Sequence, residues 1–316
     1  MRDSFPRPAR GKMPEPDWTE PLLSTVDEMV SCLSRGCSEL KRDANAESLH
    51  SVRKSSRRLR LTLRLLQSVV SHSDGNLWRK RLKGFRNSLS EARDLDVQSV
   101  RFEKLAEQGA EGAEEVLEAL RRRRAEQRDS ILAAAAALLD DGILEAVQNR
   151  IARRLTGPRR RRMGLTRRAV SRDMATRTRR LADKLSSSLP KLQRASGPRA
   201  HHKVRIAARK LRYALEFLDR TGEAPLDEWI EEVLRLQTEL GHLQDSHVMR
   251  RTLDGLERAG LLPKRAAGLK REAEGSCTEA LALSRQAAAS LAGGDWLSGL
   301  RAALDEYAVG QRERPL

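Results

Sequence analysis

The sequence predicts an all-α protein, and three observations carry that prediction. Ala, Leu, Arg and Glu dominate its 316 residues, and all four favour helices. Aromatic residues make up only 3%, whereas sandwiches and barrels draw heavily on aromatic and β-branched side chains. Apolar residues recur three and four positions apart in one segment after another, the period of an amphipathic helix.

The elements follow in order. Residues 1–17 are rich in Pro and charge, the composition of a disordered tail. Leu22, Val26, Met29, Val30 and Leu33 mark a helix over 19–42. Asn45 caps a helix running to about Val70. Asp74-Gly75 is read as a break before a helix holding Trp78, Leu82, Phe85 and Leu89. Further helices are expected over 94–109, 112–139 and 141–155, and Gly157-Pro158 is the clearest boundary in the chain.

An internal repeat organises these segments. At an offset of 152, His50, Val52, Arg53, Arg57, Leu59, Arg60, Leu63 and Leu66 meet His202, Val204, Arg205, Arg209, Leu211, Arg212, Leu215 and Leu218. These are eight identities in the seventeen positions from His50 to Leu66, far above chance for two helices. With one residue dropped, Trp78 meets Trp229, Leu89 meets Leu240, Asp94 meets Asp245 and Val97 meets Val248. The chain therefore reads as two tandem, pseudo-two-fold-related helical bundles, 18–156 and 158–312, of about six helices each.

Charge points to a partner. The formal net charge is +17, and such an excess repels itself in a compact state unless a polyanion answers it. From Ile151 to Tyr213 there are 21 Lys and Arg against two acids, Asp173 and Asp183. The rest of the chain is close to neutral, so the charge is concentrated as a binding surface would be. Cys32, Cys37 and Cys277 form no Cys-x-x-Cys pair, which argues against a disulfide framework or a metal site and for a reducing compartment. The N-terminus lacks the apolar core of a secretory signal. The longest apolar run, Ile131 to Leu139, is too short to span a bilayer. A soluble, cytoplasmic protein with no membrane insertion is expected.

The repeated helix carries the chemistry. At roughly 100° per residue, His50, Arg53, Arg57, Arg60 and Arg64 share one face about 80° wide. Val52, Leu59, Leu63, Leu66 and Val70 cluster on another, which must face the core. His202, Arg205, Arg209 and Arg212 repeat the stripe over Val204, Leu211, Leu215 and Leu218. Cations three and four residues apart repel one another. A stripe kept twice is therefore read as a seat for an anion, and Arg meets phosphate oxygens two at a time. After Pro158, Arg161, Arg168, Arg172 and Arg179 share a face opposite Val170, Met174, Leu181 and Leu185. If this helix packs beside the His202 helix, the two stripes line a common groove.

The motifs LHSVRKSSRRLRLTLRLL and HHKVRIAARKLRYALEFL strongly resemble the paired signatures of the CHAD family, the conserved histidine α-helical domain. SLSEARDLDV and LQTELGHLQDSHV are similar to its further motifs, so the resemblance covers nearly the whole chain from residue 18. It implies a pseudosymmetric helical domain around a basic central groove or pore that binds inorganic polyphosphate, in proteins often associated with polyphosphate granules. Carried over by position, the ligand-facing residues are His50, Arg53, Arg57, Arg60, His202, Arg205, Arg209, Lys210 and Arg212. The helical faces add Arg64, Arg168, Arg172 and Arg179. The family commonly has Lys then Arg where this chain has Arg209-Lys210, which keeps the charge and changes the donor geometry. Some members are fused to a CYTH triphosphatase domain, but this chain holds no Glu-x-Glu-x-Lys segment, so neither a metal nor a cofactor is implied.

Plainer readings compete with these. A histidine bonded to a neighbouring helix is the ordinary explanation of His50 and His202, and their recurrence beside arginines favours a phosphate contact. His72, His242 and His247 match no shared position and are read as surface or structural. Asp94 and Asp245 are read as caps, or as counter-charges that position an arginine, rather than as a catalytic pair. Arg121–Arg124 lies among Glu114, Glu115, Glu118 and Glu126 and is read as a solvated, ion-paired face. Arg159–Arg162 is read as a linker that grips phosphates loosely. A nucleic-acid-binding protein would share the charge, but Tyr213 is the sole aromatic beside the stripes, and no helix-turn-helix or finger signature is present. A polyphosphate hydrolase or kinase lacks a glycine-rich phosphate loop, an acidic metal cluster and a base to activate a nucleophile. Non-catalytic binding is the expectation.

Overall fold

The computed structural model describes residues 17–194, 197–222, 225–260 and 262–309. The expected disordered tail lies outside them, apart from Asp17. Thirteen α-helices and no strand occur among the described residues. The first half comprises α1 (Thr19–Arg42), α2 (Ala46–Leu65), α3 (His72–Ser88), α4 (Ser90–Glu107), α5 (Ala113–Glu126), α6 (Arg128–Asp140) and α7 (Ile143–Thr156). The second comprises α8 (Arg167–Ser186), α9 (Leu189–Arg194), α10 (Pro198–Thr221), α11 (Asp227–Arg258), α12 (Ala267–Ala292) and α13 (Gly294–Val309). The all-α class holds.

Local chemistry sets the boundaries. Asn45 caps α2, its side chain accepting from the Ser48 N–H at 2.9 Å. The Asp74-Gly75 break does not form. Ser71 caps α3 instead, accepting from the Asp74 N–H at 3.1 Å, and Gly75 packs inside the first turn against Val70. The single helix expected over 112–139 is divided at Gln127, because its two parts serve different cores. Val116, Leu117 and Leu120 of α5 join a small cluster, while Ile131, Ala135 and Leu138 of α6 return to the main one. In the second half the stretch that corresponds to α3 and α4 is one uninterrupted helix, α11. Gly157 ends α7, as its sequence predicts.

The halves share their interior. The main core runs from Leu22 and Val52 through Leu211, Phe217 and Leu236 to Leu304. The smaller cluster joins Phe102 and Val116 to Met249, Leu253 and Leu269. Both therefore draw on residues from each side of Pro158. Helix α2 packs against α1, α3 and α10, while α10 packs against α8, α11 and α2. Apolar burial at roughly 25 cal/mol per Å² drives this assembly, and its consequence for function is the placing of two arginine-rich helices against each other near the centre.

Candidate functional site

Where α2 meets α10, with α3 alongside, the surface opens into a pocket of about 480 Å³. Helix α2 contributes Arg57, Arg60 and Arg64, α3 contributes Arg79, Lys83 and Arg86, and α10 contributes Arg209 and Lys210. Eight of the thirteen lining residues are therefore Lys or Arg, and none is acidic. Gln67, His72 and Tyr213 complete the polar wall, with Gln67 Nε2 2.8 Å from His72 Nδ1.

The guanidinium groups are held in place by partial burial and have few partners of their own. The Nε atoms of Arg57, Arg60 and Arg86 are shielded from solvent and have no acceptor within the protein, a condition they share with Arg53, Arg58, Arg179, Arg205 and Arg212 outside the lining. Such a donor costs free energy unless something answers it. Burial, and then the neighbouring Arg57 and Arg205, push Arg209 down to about 9. Burial likewise lowers Arg60, with Arg86 and Arg79 adding to it, and lowers Lys210, with Lys184 and Arg64 adding. An anion seated here would relieve the repulsion and supply the absent acceptors. It would meet forks of N–H donors suited to phosphate oxygens.

The structure brings some of the sequence-derived residues together and separates others. Arg57, Arg60, Arg64, Arg209 and Lys210 line the pocket. Arg53 lies outside its lining, and its Nη1 donates to the Arg86 carbonyl at 2.8 Å and to Ser90 Oγ at 3.0 Å. It is a buried tie between α2 and the α3–α4 junction, and it positions Arg86. The charge of Arg205 acts on both Asp245 and Asp94, whose carboxyls are raised by burial and drawn back by the arginines around them. Those acids lie inside α4 and α11, so they cap nothing. They act as counter-charges to Arg53 and Arg205.

Arg212 faces the opposite side of the α2–α10 contact. Its Nε is 3.4 Å from Glu216 Oε1, and its guanidinium lies over the Tyr213 ring. On α8, Arg168 and Arg172 are exposed and Arg179 pairs with Asp305 of α13, so this stripe faces solvent and α13 and does not reach the pocket. Arg177 is the α8 arginine that approaches, donating to Gln67 Oε1 at 3.0 Å. His50 and His202 are exposed near the N-terminal ends of α2 and α10, away from the lining. Burial and then Arg93 lower His50, and His202 Nδ1 is 3.1 Å from Gln244 Oε1.

The α3 cations Arg79, Lys83 and Arg86 were not singled out by sequence. Their spacing of four and three places them on one helical face, and that was the available signal. They have no basic counterparts in the second half, where Ile230, Leu234 and Gln237 hold the same register, so the repeat does not reveal them. The run Arg121–Arg124 is ion-paired as expected, though mostly across to α4: Arg121 to Glu103, Arg123 to Glu91 and Arg124 to Asp96. Arg124 is not solvated, since its pair with Asp96 is almost wholly buried. His247, expected to be structural or superficial, is buried and stacks on His201.

The family model of the CHAD domain matches residues 25–254. The chain belongs to the CHAD family. Two solved structures share the CHAD chain's fold at low identity. The CHAD domain from the plant Ricinus communis is 19% identical, with 93% of each chain covered and a TM-score of 0.60. PptA from Streptomyces chartreusis is 17% identical, over 85% of this chain and 98% of that one, with a TM-score of 0.57. No curated protein matches the sequence. Among the described residues, no helix is long and apolar enough to cross a membrane and no cluster of His, Cys, Asp and Glu could hold a metal ion.

Proposed function

We propose that this CHAD protein binds inorganic polyphosphate, without catalysis, in the pocket between α2, α3 and α10. The observation that supports it most is the lining itself: eight cations and no carboxylate. A chain of phosphates offers one negative charge per repeat and oxygens on every side, which suits cations placed at helical intervals. Binding would draw on counterion release and on paired guanidinium–phosphate hydrogen bonds. Tethering the protein to polyphosphate granules follows from the same contacts. The lining holds no paired carboxylates and no base hydrogen-bonded to a nucleophile, so the groups present serve to hold an anion.

Competition with purified protein tests this. Long-chain polyphosphate should displace single- and double-stranded DNA at equal phosphate concentration, and no orthophosphate should be released. Preference for DNA would replace polyphosphate with nucleic acid as the ligand. Orthophosphate release that is lost in Arg57→Ala would make the protein an enzyme.

A further inference from the structure

Resting on the polyphosphate reading above, we infer that the site is one-sided: the ligand is gripped on the α3 side of the α2–α10 contact, and Glu216 occupies the arginines of the other side as an internal counter-anion. The repeat makes the two sides comparable position by position. On the α3 side, Arg60 and Arg64 of α2 face Arg79, Lys83 and Arg86. At the same register in the second half stand Arg212 and Glu216 of α10, with Ile230, Leu234 and Gln237 of α11. Two arginines and one lysine of α3 thus correspond to two apolar residues and an amide, and Arg64 corresponds to a carboxylate. The net difference is five charges.

The carboxylate is engaged. Arg58 Nη2 donates to Glu216 Oε2 at 2.7 Å, and Arg212 Nε lies 3.4 Å from Oε1. Both guanidinium groups also lie over the Tyr213 ring, at 5.4 and 4.9 Å from its centre. Lys210, which holds the register of Arg58, makes no such pair and lines the pocket. The duplicated stripe thus has two fates. In the first half its far end stays unneutralised and opens into the pocket, while in the second it closes on Glu216. A phosphate approaching the second side would have to displace a carboxylate already held by two arginines and would find no cation at the α11 positions that match Arg79, Lys83 and Arg86. Arg57 and Arg209 lie at the crossing and are available from the open side.

Charge changes at matched register positions decide it. Binding of tripolyphosphate and of long-chain polyphosphate to the full chain is measured by calorimetry at about physiological ionic strength, where exposed charges farther apart than ~8 Å are largely screened. Lys83→Glu should weaken both probes at least tenfold, while Leu234→Glu, at an exposed position, should change either by less than twofold. The double variant Arg58→Ala with Arg212→Ala should likewise leave tripolyphosphate binding within twofold. Comparable losses from Lys83→Glu and Leu234→Glu would overturn one-sidedness. If the wild-type chain ignores polyphosphate but binds an oligonucleotide, the ligand class is wrong, and the same two substitutions read with the oligonucleotide still decide whether one side or both are used.

Discussion

Arg57 and Arg209 hold the same repeat position on two helices, meet at one crossing and line one pocket. A hydrogen bond to a charged group contributes about 1.5–3 kcal/mol, so replacing both by Glu should weaken polyphosphate binding on the order of a hundredfold or more. The same reversal at Arg122 and Arg123, exposed on α5, should change it less than threefold. Direct titration checks both, and circular dichroism confirms that each variant is helical. A second residue-scale prediction concerns His247. Its Nε2 lies 3.3 Å from His201 Nδ1, and its Nδ1 lies 3.4 Å from Cys277 Sγ, with Arg250 and Arg251 also nearby on α11. Burial, and then His201, hold it down to about 4. The unfolded chain takes up this proton near 6.5, so between about 6.5 and 4 the unfolded state carries a proton that the folded state refuses. Stability should therefore fall as pH drops through that window, by up to about 3 kcal/mol, because each tenfold loss of proton affinity on folding is worth about 1.4 kcal/mol. Urea unfolding at pH 7 and pH 4.5 measures the loss, and His247→Gln should shrink it. An unchanged difference in the variant would remove His247 as its source.

At the scale of elements, the same substitution should have opposite signs in two helices. A Cβ on Gly36 of α1 would lie 2.6 Å from Val52 Cγ1 of α2, a stiff branched side chain in the core. Gly36→Ala should destabilise by about 1–3 kcal/mol of overpacking, less the helix-propensity gain. Gly84 of α3 has open space at its Cβ, so Gly84→Ala should stabilise by up to about 1 kcal/mol. Thermal melting of the two variants checks both signs. Helix positions were legible because periodicity and caps are local: Thr19–Arg42, the Asn45 cap and the end at Gly157 follow from the sequence alone. The α5–α6 break and the cap at Ser71 were not, because they depend on which core each segment joins and on which of two nearby polar residues wins the first turn. The same division runs through the site. Arg57, Arg60, Arg64, Arg209 and Lys210 could be found from a repeated stripe. The α3 cations, and the outward turn of the Arg168, Arg172 and Arg179 stripe, depend on which helix packs against which face.

For the whole molecule, one consequence of two shared cores is that neither half carries a complete interior. Removing residues 158–312 would expose the faces of α1 and α2 that pack against α10, so each half alone should fail to show a cooperative melt. The pocket is divided between the halves as well, with α2 and α3 on one side and α10 on the other. The binding free energy is then a property of the assembled chain, and its salt dependence counts the cations in use. If each phosphate engaged releases roughly 0.7 of a counterion, as for single-stranded nucleic acid, full use of the eight lining cations gives a log–log slope of about −5.6. A one-sided site can reach that value and no more, whereas recruiting the second side would add Arg58 and Arg212 and steepen it. Long-chain polyphosphate titrated between about 50 and 400 mM salt reads the slope directly. A flat response would mean that the arginine stripe is not the site. A slope well steeper than that eight-cation ceiling would mean that the chain runs past the crossing and engages the side that Glu216 closes.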